Sequence, residues 1–186
     1  MQPDNYVTTY KKHRFPPLTP RPENIDIEDI AHSLSRICRA NGHLPIFFSV
    51  ALHSLNCERE AAARRLDTET RLILLLHDAS EAYLSDIVRP VKIALPDYHI
   101  AEKVLQDTIL TSFGISPESD KRIYEKPIDD AMLYAEFKNL SGELVYETEP
   151  EIHSTPDLRE RGFCEVEEEF LERFLHLHKN LTLEPV

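Results

Sequence analysis

No run of this chain approaches the 18 or so uncharged apolar residues that a membrane-spanning helix needs. The strongest apolar stretch, Leu72–Leu76, is five residues long. The N-terminus, MQPDNYVTTYKKHRF, lacks the apolar segment of a secretory signal. Cysteine is scarce: Cys38, Cys57 and Cys164 are odd in number and widely spaced, forming neither a disulfide framework nor a CxxC metal knuckle. These absences lead us to expect a reducing, cytoplasmic setting. Positive charge is short as well, with 21 Lys and Arg against 33 Asp and Glu and a formal net charge of −12. That balance argues against a nucleic-acid or membrane partner, because both need a basic footprint. A small anionic ligand is not excluded, since it reads only the field of its own pocket. Strand signals are nearly absent, and there is no internal repeat or low-complexity segment.

What is there fits one globular domain of 186 residues, long enough to bury a sizeable core. Five of the 13 prolines fall in the first 22 residues, so residues 1–24 read as an extended arm packed on the body, or for the first few residues as a disordered tail. The pattern then turns helical. Ile27, Ile30, Ala31, Leu34, Ile37 and Cys38 form an apolar stripe that Asn41-Gly42 would stop. A second helix starts at the N-cap Ser49, and a third starts near Asp67 or Thr68 and carries RLILLLHDASEAYL. A fourth follows Pro96, with Ala101, Val104, Leu105, Thr108 and Ser112 on one face, and ends at Gly114. A fifth spans roughly residues 117–140 with an interruption expected at Pro127, residues 141–162 read as a loop, and a last helix carries Phe163, Val166, Phe170, Phe174 and Leu177. The expected fold class is all-α, a single bundle of about six helices.

Nine histidines in an acidic chain make metal worth seeking. His77-Asp78 follows LILLL directly, and a carboxylate buried there costs several kcal/mol unless it is paired or bound to a cation. Glu81, four residues after His77, shares that face. His53 sits among apolar neighbours in SVALHSLN, and Asp130 opens an apolar helical run. His53, His77, Asp78 and Asp130 together would offer two nitrogens and two oxygens to a divalent ion. A satisfied core histidine and a helix-ending salt bridge are the bland alternatives, and spacing alone does not bring the three helices together.

The order H…HD…D, with HDASEAYLSDIVRPVK around the pair, resembles the HD-domain metal-dependent phosphohydrolases, and more narrowly the small nucleotide phosphohydrolases of the YfbR type. The shared string also includes IEDIAHSLS at Ile27–Ser35, Gly42-His43 and SVALHS at Ser49–Ser54, so the resemblance covers roughly residues 10–140. It implies an HD core over residues 25–140, with residues 141–186 as a loop and C-terminal helix of the same domain. It implies His53, His77, Asp78 and Asp130 as ligands of one divalent ion: cobalt, manganese, magnesium, zinc or iron. Glu81 would position or activate water, and Asp86 would be a second acidic pocket residue. Lys92 and Arg89 would hold phosphate oxygens, and His43 would face the substrate. Leu52 departs from the Glu that YfbR-type proteins often carry before the first ligand. His99 is the one histidine between Asp78 and Asp130, too few for a second metal or an iron oxygenase. The remaining histidines, and the aromatics Phe48 and Tyr134, default to surface or core. The expected function is hydrolysis of mono-, di- or triphosphates of nucleotides or their analogues. The expected partner is a small-molecule nucleotide, with a homo-oligomer left open. The rival is a catalytically silent HD domain that senses a nucleotide.

Overall fold

The first helices begin where a short polar side chain can accept an otherwise orphaned backbone N–H. Asp26 accepts from Glu28 at the start of α1 (Ile27–Leu34), Ser49 from Leu52 at the start of α2 (Val50–Ala63), and Asp67 from Thr70 at the start of α3 (Thr68–Leu76). Two single-turn helices follow, α4 (Glu81–Leu84) and α5 (Arg89–Lys92). Then come α6 (Pro96–Ser112), α7 (Glu125–Leu140) and α8 (Phe163–Leu183). This computed structural model describes residues 5–183. Its fold is all-α, with six helices of eight residues or more among the described residues, and no described helix is long and apolar enough to cross a membrane.

Leu72, Ile73, Leu74, Leu75 and Leu76 are all buried, so α3 is the central element, packed against α2, α7 and α8. Each such side chain contributes roughly 1.5–3 kcal/mol relative to exposure. Val166, Phe170, Phe174 and Leu177 of α8 close the core, while Phe163 at the helix start is exposed.

Several elements differ from expectation. The third helix does not run through HDASEAYL. It ends at Leu76, and residues 77–80 make tight turns closed by Ala79 N–H to Leu76 O (2.9 Å) and Glu81 N–H to Asp78 O (3.0 Å). Gln106 of α6 holds this break, donating to Leu76 O at 2.7 Å and accepting from Ser80 N–H at 3.1 Å. That role explains why α6 buries Leu105, Gln106, Ile109 and Leu110 rather than the expected stripe, with Val104 left exposed. The first helix stops at Leu34; Cys38 instead bridges Ser49 in extended geometry, and Asn41 and Gly42 form a left-handed turn beyond it (φ 51° and 75°). Pro127 lies inside the first turns of α7, where a missing N–H costs little; the break falls before it, in a 3-10 turn over residues 120–124.

The arm is not wholly extended. β1 (Val7–Thr8) and β2 (Arg14–Phe15) pair antiparallel, and Phe15 is buried against Tyr83, ring centroids 3.9 Å apart. Residues 1–4, on which the first few residues of the arm fall, lie outside the described residues. The loop at 141–162 is held by buried polar residues of α2. Asn56 brackets Asp157 with two 2.9 Å bonds, and the Glu60 carboxylate accepts from the N–H groups of His153 and Ser154.

Candidate metal centre

His53 comes from α2, His77 and Asp78 from the turn that ends α3, and Asp129 from α7. The breaking of α3 matters here, because adjacent residues on a continued helix would point about 100° apart, whereas His77 Nε2 and Asp78 Oδ2 lie 3.2 Å apart. His53 Nε2 is 3.1 Å from Asp129 Oδ1 and 3.8 Å from Asp78 Oδ2. Donors bound at 2.0–2.1 Å to one ion stand about 3–3.4 Å from their neighbours, so the two shortest of these distances are those of ligands around a single point.

The outer faces of both imidazoles are already engaged. His53 Nδ1 lies 2.6 Å from Glu136 Oε1, a buried acceptor, so Nδ1 carries the proton and donates it. His77 Nδ1 donates to Leu74 O at 2.7 Å. Each arrangement turns the Nε2 lone pair toward the centre, as a partner hydrogen bond does for a metal-bound histidine. His77 Nε2 is buried without a hydrogen-bond partner. Asp78 Oδ2 meets it at 3.2 Å as an ion pair. A cation would satisfy a buried ring nitrogen of this kind, and the donor set fits a divalent ion.

Cys57 Sγ lies 3.5 Å from His53 Nε2. The buried cluster of His53, Cys57 and His77 could hold a metal ion. Among these groups the carboxylates of Asp78 and Asp129 face the open cleft, whereas Cys57 is sealed in the core.

Electrostatics reflect a surplus of buried negative charge. Burial opposes the charged form of His77, yet Asp78 beside it outweighs that penalty and holds the imidazole at about 10. His53 is likewise raised against its burial, with Glu136 and Asp129 among the causes. Burial also opposes ionisation of Asp129, but the hydrogen bond and charge of His53 hold it at about 2. Asp78 is lowered, against its burial, mainly by His77. The neighbouring acids thus favour the charged form of both imidazoles. Glu81 behaves oppositely: burial, with Asp78 and Asp86 nearby, pushes its carboxyl well up. Its Oε2 is buried without a partner, and Lys92 Nζ approaches Oε1 at 3.9 Å.

Asp130 does not join the centre. It accepts from Lys126 (2.5 Å), Tyr146 (2.7 Å) and, more distantly, Arg89 (3.4 Å). Asp129 takes the place expected of it, because one step along α7 turns a side chain by about 100°. Asp86, Arg89 and Lys92 line a cleft of about 440 Å³ beside Asp78, Glu81 and Asp129, with Ile87, Val88, Leu133, Phe137 and Val145 as its apolar wall. Lys92 is already paired with Glu102 at 2.6 Å. His43 is exposed and does not line this cleft. Phe48 and Tyr134 are core residues, and His99 lines a second cleft, of about 510 Å³, which His77, Asp78, Lys92 and Asp129 also line.

Sequence reasoning missed three groups. Arg39 is held by the strand-like bridge at Cys38, with its guanidinium 3.5 Å from Asp78 and 3.3 Å from Glu136. Burial opposes its charge, and those two acids with Asp129 more than offset it. No spacing marks Arg39 beforehand. Glu136 had a signal: it lies seven residues after Asp129, two helical turns on the same face. Tyr146, from the 141–162 loop, had none.

No family model matches the chain. It is 39% identical over 118 residues to the uncharacterized protein YfdR of Escherichia coli (strain K12), covering 63% of this chain and 62% of that protein. It is 44% identical over 82 residues, 42% of each chain, to an uncharacterized protein of Rhodobacter capsulatus. The chain thus matches less than two thirds of the length of these relatives, and neither name states an activity.

Proposed function

We propose that this chain is a metal-dependent phosphohydrolase of the HD type acting on nucleotides or nucleotide analogues. The carrying observation is the pair of inward-turned Nε2 atoms with two carboxylates at ligand spacing, opening on a cleft that holds Arg39, Arg89 and Lys92. His53, His77, Asp78 and Asp129 would hold one divalent ion: cobalt, manganese, magnesium, zinc or iron. Bound there, the ion would neutralise a phosphoryl oxygen and acidify a water. The two Asp charges balance a divalent ion, which favours this set over one that recruits the Cys57 thiol.

The chain's own groups supply the rest. Arg39 is oriented by Glu136 and Asp78 and presents a fixed cation to the non-bridging oxygens of a phosphate. Lys92 and Arg89 add positive charge at the cleft, each by exchanging its present carboxylate partner for a phosphate oxygen of the substrate. Glu81, buried and with one free oxygen, holds or takes the proton of the attacking water. The apolar wall from Ile87 to Val145 offers a surface for a base and sugar.

Incubation with a panel of mono-, di- and triphosphates and several divalent ions, with chromatography of the products, tests this reading. Ion-dependent release of orthophosphate, pyrophosphate or triphosphate is expected and names the reaction. Nucleotide binding without product under every ion would reassign the chain as a sensor.

A further inference from the structure

The turn that joins β1 to β2 lies over the start of α1. It is closed by Thr9 N–H to His13 O (3.0 Å) and Lys12 N–H to Thr9 O (2.9 Å). Lys11 N–H donates to Asp29 Oδ1 at 2.7 Å, and His13 Nδ1 lies 3.5 Å from Asp29 Oδ2. Ligand atoms of His13, Asp26 and Asp29 all fall within 4.8 Å of one another.

Helix capping does not account for this group. The Asp29 side chain is 1% exposed, yet its Oδ2 has no hydrogen-bond partner. The buried hydroxyl of Tyr83, which senses the charges of Asp29 and Asp26, is also without one. Asp26 and Glu28 share a single ammonium, Lys11 Nζ, at 3.5 Å and 2.8 Å, while Asp29 takes only the Lys11 backbone N–H and the long contact to His13. The N-terminus of α1 favours carboxylates by only about 0.3–1 kcal/mol each, which leaves the buried Oδ2 of Asp29 with a long contact to His13 as its one direct counter-charge. Asp26 spends Oδ1 on the Glu28 N–H at 2.9 Å, and its Oδ2 is held only by Lys11 Nζ at 3.5 Å, the longer of that ammonium's two contacts and the one an ion would take over. The 3.5 Å between His13 and Asp29 is long for a hydrogen bond. It is close to the roughly 3.3 Å separating two donors on one tetrahedral ion with 2.0–2.1 Å bonds.

We propose that His13, Asp26 and Asp29 form a second site, for a divalent transition-metal ion of the zinc type, which clips the N-terminal hairpin to α1. One imidazole and two carboxylates leave a tetrahedral position for water, and the half-exposed His13 leaves the site open to the medium. Lys11 keeps Glu28 as its partner. The role is structural: the hairpin delivers Phe15 onto Tyr83, which belongs to α4, the helix that also begins with Glu81. No residue is shared with the centre at His53 and His77, so the inference stands apart from the proposed reaction.

The test uses the full chain equilibrated with zinc, freed of excess ion and counted by native mass spectrometry, alongside protease cleavage within the hairpin. The parent is expected to carry two ions, and His13→Ala and Asp29→Asn one each. Zinc at about ten times its dissociation constant should slow hairpin cleavage about tenfold in the parent and not in His13→Ala. His77→Ala should lose the other ion and keep this protection. A parent with one ion, lost in His13→Ala and kept in His77→Ala, would support this site and remove the other. Equal counts in the parent and His13→Ala, or hairpin cleavage indifferent to zinc in the parent, would overturn it. His13→Gln, which keeps a polar side chain, repeats the comparison if the alanine variant melts early.

Discussion

The inner wall of the cleft and its mouth use the same residue types to opposite ends. At the wall, His53 and Glu136 are fully buried, and with Arg39, His77, Asp78 and Asp129 they project from packed elements as one mutually dependent set of charges. At the mouth, Arg89, Asp130, Lys126 and Tyr146 pair at partly exposed positions where water can replace any partner. A buried carboxylate without its counter-charge costs several kcal/mol, whereas an exposed pair contributes about 0–1 kcal/mol. The wall therefore has the geometry for chemistry, and the mouth for exchangeable contacts.

The sharpest way to break this contrast is to compare neighbours. Asp129→Asn should lose the ion and turnover together, whereas Asp130→Asn should keep the ion, with elemental analysis and product assay as readouts. The reverse outcome would return the ligand role to Asp130. Next in size is Glu81→Gln, expected to keep metal and lose about 10²–10⁴-fold in turnover, as for a general base or positioning group. Near-normal rates with metal bound would end that role. Glu136→Gln acts on the wall through both His53 and Arg39 and should weaken metal affinity by about 10–100-fold, measurable by competition with a chelating dye.

The wall also predicts a pH dependence of the metal-free protein. His77 stands at about 10 in the fold, above its unfolded value of about 6.5. Its contribution is therefore fully present below about pH 6.5 and lost as pH rises through about 10. Thermal melts in chelator should fall across that window, and the divalent ion should raise the melting temperature and flatten the slope, since it replaces the imidazole protons. A chelated protein with the same profile as the loaded one would contradict the centre. The smallest effect is expected at the mouth: Lys92→Ala should mainly raise KM, more for longer phosphate chains, and unchanged kinetics for mono- and triphosphates would leave it a structural partner of Glu102.

Much of this was legible in local chemistry. The caps Ser49 and Asp67, the apolar LILLL, the stripe of α8 from Val166 onward and the loop punctuation at 141–162 each depend on neighbours within a few residues, and each is seen where expected. His53, His77 and Asp78 stand out for the same reason, since polar groups inside apolar runs demand partners wherever the chain goes. Choosing between Asp129 and Asp130 was not local. Both adjoin the same apolar stripe, and only the rotation of α7 against α2 decides which one meets His53. The ending of α3 at His77 depended on Gln106, 30 residues from the carbonyl it holds. Arg39 depended on a bridge between Cys38 and Ser49. The sequence by itself determined the helices and the donors available to a metal. Tertiary packing alone decided which donors converge, because a helix fixes spacing along one axis and leaves its rotation to whatever it packs against.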